Sequence, residues 1–166
     1  MSVVTRTYLE MRSPAQFVRR RLDDPAITIH RVQRCHPQVW RSLYEGVGRP
    51  YRWTDRLAWT DEEIRAYLDD PATRLHVLTV SGEVAGYYEL RAEPDGAIEI
   101  AYLGLLPGRT GRGLGAHLLT DAIAEAWRCD AVRVWLHTCT LDHPAALPNY
   151  LKAGFTTWKL EELPPL

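Results

Sequence analysis

The densest chemical signal in the chain is Leu106-Pro107-Gly108-Arg109-Thr110-Gly111-Arg112-Gly113-Leu114-Gly115-Ala116-His117, set between a strand-like run and a helical one. A loop in that position offers an anion the unpaired N–H groups of a helix start and the positive end of its dipole. Phosphate is the natural guest. Glycines at 111, 113 and 115 let the backbone approach a pyrophosphate and adopt positive φ, while Arg109 and Arg112 add charge and fork geometry. Two nucleotide readings can be judged on spacing. GxxxxGK followed by Ser or Thr fails, because Leu114 follows Gly113. A GxGxxA dinucleotide fingerprint fits Gly111, Gly113 and Ala116, with Asp130 about 20 residues on. Its context is wrong, since the preceding strand closes an antiparallel run and Asp130 comes before the next strand instead of ending it. The plain alternative is a glycine turn without a ligand. Further along, His137, Cys139, Asp142 and His143 crowd imidazole, thiolate and carboxylate into seven residues. They lack the paired spacing that zinc sites usually show, and no metal is expected.

A third reading of the glycine loop comes from a resemblance. Over roughly residues 27–160 the chain resembles the GNAT superfamily of acyl-CoA-dependent N-acyltransferases, most densely from Ile98-Glu99-Ile100-Ala101-Tyr102-Leu103-Gly104-Leu105 into Gly111-Arg112-Gly113-Leu114-Gly115-Ala116-His117-Leu118. Family members carry Arg or Gln, two variable residues, Gly, one variable residue, then Gly or Ala. Gly113 and Gly115 match, but the first position falls on Thr110, which leaves a phosphate contact to Arg109 or Arg112. A second segment, Asp142-His143-Pro144-Ala145-Ala146-Leu147-Pro148-Asn149-Tyr150-Leu151-Lys152-Ala153-Gly154-Phe155, is similar to the family's "N..A..LY...GF". Ala146, Tyr150, Gly154 and Phe155 match, while His143 replaces Asn and Asn149 replaces Leu. Pro148 removes an N–H and clashes one turn back, which predicts a kinked helix or a late helix start.

The resemblance implies a mixed α/β (α+β) GNAT fold, its central, mostly antiparallel twisted sheet splayed where acetyl-CoA or a related acyl-CoA inserts as co-substrate. Backbone groups of Leu103, Gly104 and Leu105 would pair with the pantetheine arm and offer an N–H to the thioester carbonyl. Arg109, Thr110, Gly111, Arg112, Gly113, Leu114, Gly115 and Ala116 would hold the phosphates, with His143 on a cofactor-side turn. Tyr150 takes the place of the family's general acid. A phenol of pKa about 10 is protonated at neutral pH and can reprotonate a thiolate whose conjugate acid lies near 8.5. Glu99 aligns with the glutamate that acts as base in the histone acetyltransferase branch. Strand alternation puts it on one face with Ala101, Leu103 and Leu105, where it would accept the amine's proton directly or through water, aided by a burial-raised pKa. Glu89 is the rival base. The plain alternatives are a packed tyrosine with a capped hydroxyl and a carboxylate satisfied by an Arg. A Cys139 nucleophile is disfavoured, since family transfer is direct within a ternary complex.

The reaction so implied is N-acetylation of the primary amine of a small molecule: an amino acid, an amine metabolite or a xenobiotic, with protein N-termini left open. Tyr51, Trp53, Trp59 and Glu89 are the candidate acceptor contacts, although an aromatic loop is as often satellite core. Asp61, Glu62, Glu63, Asp69 and Asp70 would attract a cationic amine. Solvated helix surface is their commoner role. Two other classes stay in view: a non-catalytic acyl-CoA-binding or regulatory module, and an NAD(P)-dependent enzyme using the glycine loop.

The elements that must position these groups can be read from periodicity. Residues 1–26 read as an appendage to a core of about 27–160 within one domain spanning 1–166. The appendage holds a short strand at Thr5–Met11 and a basic run, Arg19-Arg20-Arg21, taken as a solvated face. A strand at Ile27–Val32 precedes a helix marked by Trp40, Leu43, Tyr44 and Val47 at i, i+3, i+4 and i+7. After the aromatic loop, Thr60 and Glu63 form a capping pair for a short helix that stops at Asp69-Asp70-Pro71. Strands at 74–80, 84–91 and 97–106 make a meander with its first turn at Ser81-Gly82-Glu83. The helix 114–127, a strand 131–138, a helical stretch to Ala153 and a strand from Phe155 follow.

Composition bounds the class. The chain has 166 residues, 46% hydrophobic and 25% charged, which fits one soluble globular domain with its own core. With 20 basic against 21 acidic side chains it lacks the strongly basic face that nucleic acid requires. Only Lys152 and Lys159 are lysines, so 18 of the 20 cations are Arg, a residue suited to phosphate and carboxylate. Cys35, Cys129 and Cys139 form no CxxC pair and an odd set, which fits reduced thiols. No apolar run approaches the roughly 20 residues of a membrane span, and Met1–Glu10 has no apolar leader core. The expectation is a cytoplasmic protein with a small-molecule amine as partner, no nucleic acid and no membrane; a homodimer is left open.

Overall fold

The computed structural model describes residues 3–164, so the outermost positions of the expected 1–166 domain lie outside the described residues. Local chemistry sets each element. Helix α1 (Pro37–Gly48) follows His36, whose Nδ1 accepts from Gln38 N at 3.1 Å, and it buries the stripe Trp40, Leu43, Tyr44 and Val47. Helix α2 (Asp61–Asp69) starts in the capping box of Thr60 and Glu63. Strands β3 (Thr73–Val80) and β4 (Glu83–Ala92) join through Ser81 and Gly82, at φ 51° and 82°, the paired positive values that match strand twist. Strand β5 (Ala97–Leu105) leads into α3 (Leu114–Arg128), then β6 (Arg133–Cys139), α4 (Ala146–Lys152) and β7 (Thr156–Leu163). Pro148 falls in the first turn of α4, where a missing N–H costs little, so the outcome is the late start.

The strands form one sheet in the order β2-β3-β4-β5-β6-β1-β7, with β2 at Ile27–Val32 and β1 at Val4–Met11. Every neighbouring pair is antiparallel except β5 and β6. The N-terminal strand corrects the expectation of an appendage. β1 lies inside the sheet, pairing Arg6 with Cys139 of β6 on one side and with Glu161 of β7 on the other. Leu9 and Met11 on β1 are fully buried.

Two layers cover the sheet. On one face α3 sinks Leu118, Leu119, Ala122, Ile123 and Ala126 to zero exposure against Leu9, Ile98, Val134 and Leu136. Each large apolar side chain so buried contributes about 1.5–3 kcal/mol. On the other face α1 and α2 cover only the β3–β5 half, with Trp40, Tyr44 and Ile64 packed near Leu75, Val77 and Tyr87. The segment between β1 and β2 is an arm laid along α3 and α4. Phe17 enters the core, Val18 N donates to Ala153 O (2.9 Å), Arg20 N to Thr120 Oγ1 (3.0 Å) and Leu22 N to His117 Nδ1 (2.9 Å). Gly154 is required by this crossing: its φ is 109°, and a Cβ there would lie 1.9 Å from Gln16 O.

Candidate active site

Strands β5 and β6 pair for only three residues, Ala97 with Arg133, Ile98 with Val134 and Glu99 with Trp135. Beyond Glu99, β5 stays bonded to β4 as far as Leu105 while β6 stays bonded to β1. The two strands therefore diverge, and a cavity of about 670 Å³ opens between them, within the range of small-ligand sites. Leu106 N donates to Ala85 O of β4, so strand alternation turns the amides of Leu103 and Leu105 toward the wedge. Leu103, Gly104 and Leu105 all line it.

A β-bulge decides which side chains face it. Glu89 opposes Tyr102 and Leu90 opposes Ile100, leaving Ala101 without a partner. Alternation flips there. Glu99 falls on the α1/α2 face with Tyr102 and Gly104, whereas Ile98, Ile100, Leu103 and Leu105 pack toward α3. The expected shared face of Glu99, Ala101, Leu103 and Leu105 is therefore corrected, because simple period-2 counting does not see the inserted residue.

At the wide end of the wedge, Gly113 caps α3 in the left-handed region (φ 78°) with no side-chain cap, leaving first-turn amides of the helix free for an anion. Thr110, Gly111, Gly113, Gly115 and Ala116 line the cavity, as does His143. Arg109, Arg112 and Leu114 do not. Arg109 turns away to Glu83 at 2.9 Å, Arg112 is exposed, and Leu114 is 4% exposed in the core beneath α3.

Glu99 and Tyr150 both line the wedge. Burial, then the charges of Glu93 and Glu89, raise the Glu99 carboxyl above its ordinary range, and it makes no ion pair among the described residues. The Tyr150 ring is buried in the α3/α4 core, and burial together with Asp142 keeps its phenol protonated well past the ordinary tyrosine range. Asp142 is held by Thr138 Oγ1 and by Cys139 N (3.0 Å), which folds the turn after β6. His137 on β6 also lines the wedge, and burial lowers its pKa. Among the described residues no group of three or more His, Cys, Asp or Glu gathers as a metal would need.

Glu89 takes no part in this wall. It is fully buried, accepting from Trp40 Nε1 and from an Arg56 guanidinium N–H, each at 2.8 Å. Burial pushes its carboxyl up, opposed by Arg56 and Trp40. The expectation of Glu89 as base or acceptor contact is corrected: it is an internal anchor. Trp59 belongs to the same anchor, stacked on Trp40 at 5.8 Å and lying under Arg56 at 4.7 Å. Tyr51 and Trp53 do line the cavity, Tyr51 edge-on to His143 at 6.3 Å and Trp53 against Tyr102 at 4.9 Å.

Arg56 went unnoticed in the sequence. Besides Glu89 it bonds Tyr67 Oη (2.9 Å) and lies 4.3 Å from the Tyr102 ring centre and 4.4 Å from that of Tyr67, fixing the loop that walls the cavity. The only sequence signal was an arginine in an aromatic-rich loop, which says nothing of the carboxylate 33 positions on.

Comparisons with known proteins converge on this arrangement. The Acetyltransferase (GNAT) family pattern matches residues 40–155. An uncharacterized N-acetyltransferase of Mycobacterium tuberculosis is 35% identical over 89 residues, covering 54% of this chain and 56% of that protein. The mycothiol acetyltransferase of Nocardia farcinica is 35% identical over 104 residues, 62% of this chain and 33% of its own length. Among solved structures, a GCN5-related N-acetyltransferase from Sphaerobacter thermophilus superposes with a TM-score of 0.71 at 20% identity, covering 99% of this chain and 53% of that one. The chain thus spans about half the length, or less, of the curated relatives it matches. With the family pattern running from α1 through the glycine loop to the end of α4, and with the parted strands between, the chain belongs to the GNAT acetyltransferase family.

Proposed function

We propose that this protein transfers an acetyl group from acetyl-CoA, or a close acyl-CoA relative, directly to the primary amine of a small molecule. One observation carries the reading. The β5–β6 wedge runs from the uncapped start of α3 to Glu99, a carboxylate with no ion pair among the described residues, with Tyr150 on its wall. In this reading the α3 amides hold the diphosphate, and the Leu103 and Leu105 amides take the pantetheine arm and the negative charge developing on the thioester oxygen. Glu99 removes the amine's proton, and Tyr150 returns one to the departing thiolate. The likeness to a mycothiol acetyltransferase supports a small-molecule acceptor. Three free cysteines support a reducing, cytoplasmic setting.

The test is thermal stabilisation by acetyl-CoA, coenzyme A and NAD(P)H, each near 100 times its dissociation constant, followed by thiol release with a panel of amines. Mass action gives about 2.7 kcal/mol, or roughly 5–11 °C for a domain of this size. A shift with the coenzyme A forms and amine-dependent thiol release is the expected result. A shift with NAD(P)H alone would overturn the reading, and binding without turnover on any amine would make the protein an acyl-CoA-binding module.

A further inference from the structure

The basic run Arg19-Arg20-Arg21 is not a uniform solvated face. Arg19 lies over the Phe17 ring at 4.5 Å and Arg21 reaches Asp121 at 3.5 Å. Arg20 points inward and lines the wedge. One terminal nitrogen, Nη2, donates to Asn149 O (2.8 Å) and to Asn149 Oδ1 (2.6 Å), and Nε is buried with no partner among the described residues. The guanidinium meets no carboxylate among the described residues.

Its surroundings make that a costly arrangement. The Asn149 side chain lies 3.8 Å from where a Cβ on Gly115 would be, in the first turn of α3. Arg20 is thus tied to a residue beside the positive end of α3, and the two positive poles line one cavity. Burial works against the charged form of Arg20, and neutral oxygens only partly compensate. An anion between the arm and the helix start would satisfy all three conditions. The loop itself supplies little charge there, since Thr110 is neutral, Arg109 is engaged by Glu83, and Arg112 does not line the cavity. Asn149, like Thr110 and His143, departs from the family pattern, and it is the residue that orients Arg20.

Resting on the transferase reading above, we propose that the N-terminal arm is part of the donor site, with Arg20 contacting the diphosphate of the acyl-CoA and Asn149 positioning its guanidinium. The arm then couples β1 to the donor site through Leu22, which packs 3.3 Å from a Cβ position on Gly113 and donates its N–H to His117.

Calorimetry on wild type and Arg20→Met with three donors decides this: acetyl-CoA, its 3′-dephospho form and S-acetylpantetheine, which has no phosphate. Losing one charge-assisted contact predicts roughly 10- to 100-fold weaker binding. That loss should persist with the dephospho donor and vanish with S-acetylpantetheine, and Arg20→Lys should lose less. An equal loss on all three donors would make Arg20 a clasp between the arm and α4 and overturn the proposal. A loss that disappears with the dephospho donor would move the contact to the 3′-phosphate and overturn the diphosphate assignment. Unchanged acetyl-CoA affinity would sink Arg20 alone, whereas a wild-type protein that binds no coenzyme A form would sink the transferase reading with it.

Discussion

Replacing Arg56 by Met tests whether the cavity wall on the α1/α2 face hangs on one internal ion pair. The side chains of Arg56 and Glu89 are 11% and 0% exposed, and they meet at 2.8 Å. After the substitution Glu89 keeps only the Trp40 indole N–H. Removing one partner of a buried pair costs about 3–5 kcal/mol, because the other charge is left uncompensated. At roughly 2–4 °C per kcal/mol that is a fall in Tm of about 6–20 °C. Arg56→Met combined with Glu89→Leu removes both charges and should recover most of the loss, since a well-packed apolar pair is often neutral against a buried ion pair. The pH dependence has a definite sign. Without Arg56, burial raises the Glu89 carboxyl against the Trp40 N–H alone, and the stability a raised folded-state pKa contributes is present at low pH and lost as pH rises through it. The deficit of the single variant against wild type should therefore shrink on acidification. Urea denaturation of the four proteins of this cycle between pH 5 and 8 is the assay. A single variant within about 1 kcal/mol of wild type, or a double variant no better than the single, would refute the anchoring role.

Three further outcomes follow from the site. Tyr150→Phe should leave acetyl-CoA binding intact and lower kcat by roughly 10²–10⁴-fold, as expected for loss of a general acid; steady-state turnover beside calorimetry checks both halves. Glu99→Gln should lower turnover yet raise Tm at pH 7, because burial and two neighbouring carboxylates disfavour its charge, and wild-type kcat/KM should fall with acid at a pH above the ordinary glutamate range. Gly154→Ala should cost roughly 1–3 kcal/mol in backbone strain and displace the arm, read as lower Tm together with faster amide exchange at 17–22.

Much of this was legible in the chain. The stripe at Trp40, Leu43, Tyr44 and Val47 gave α1, Thr60 and Glu63 gave α2, and the glycine loop before an apolar 3.6-period gave α3. These are local signals, each decided within about one helical turn. The misses are all long-range or one-residue effects. The bulge at Ala101 changes a face without changing a residue type, so Glu99 lines the cavity as expected but on the face opposite Leu103 and Leu105. β1 looked detachable because its partners lie at the other end of the sequence. Glu89 and Arg20 both depend on partners from distant segments: the carboxylate expected at the site is an internal anchor, while the arginine expected on a solvated face lines the cavity.

The place of β1 also governs the order in which this sheet can be completed. The strand sits between β6 and β7, both more than a hundred residues later in the chain, and pairs with nothing earlier. During synthesis both of its edges stay open until the far end of the polypeptide arrives, a non-local closure that slows folding and leaves a strand available for mispairing. Clipping the chain just after Met11 would thus do more than trim an end. It would leave β6 and β7 without the strand that joins them, and the arm that follows without its first anchor.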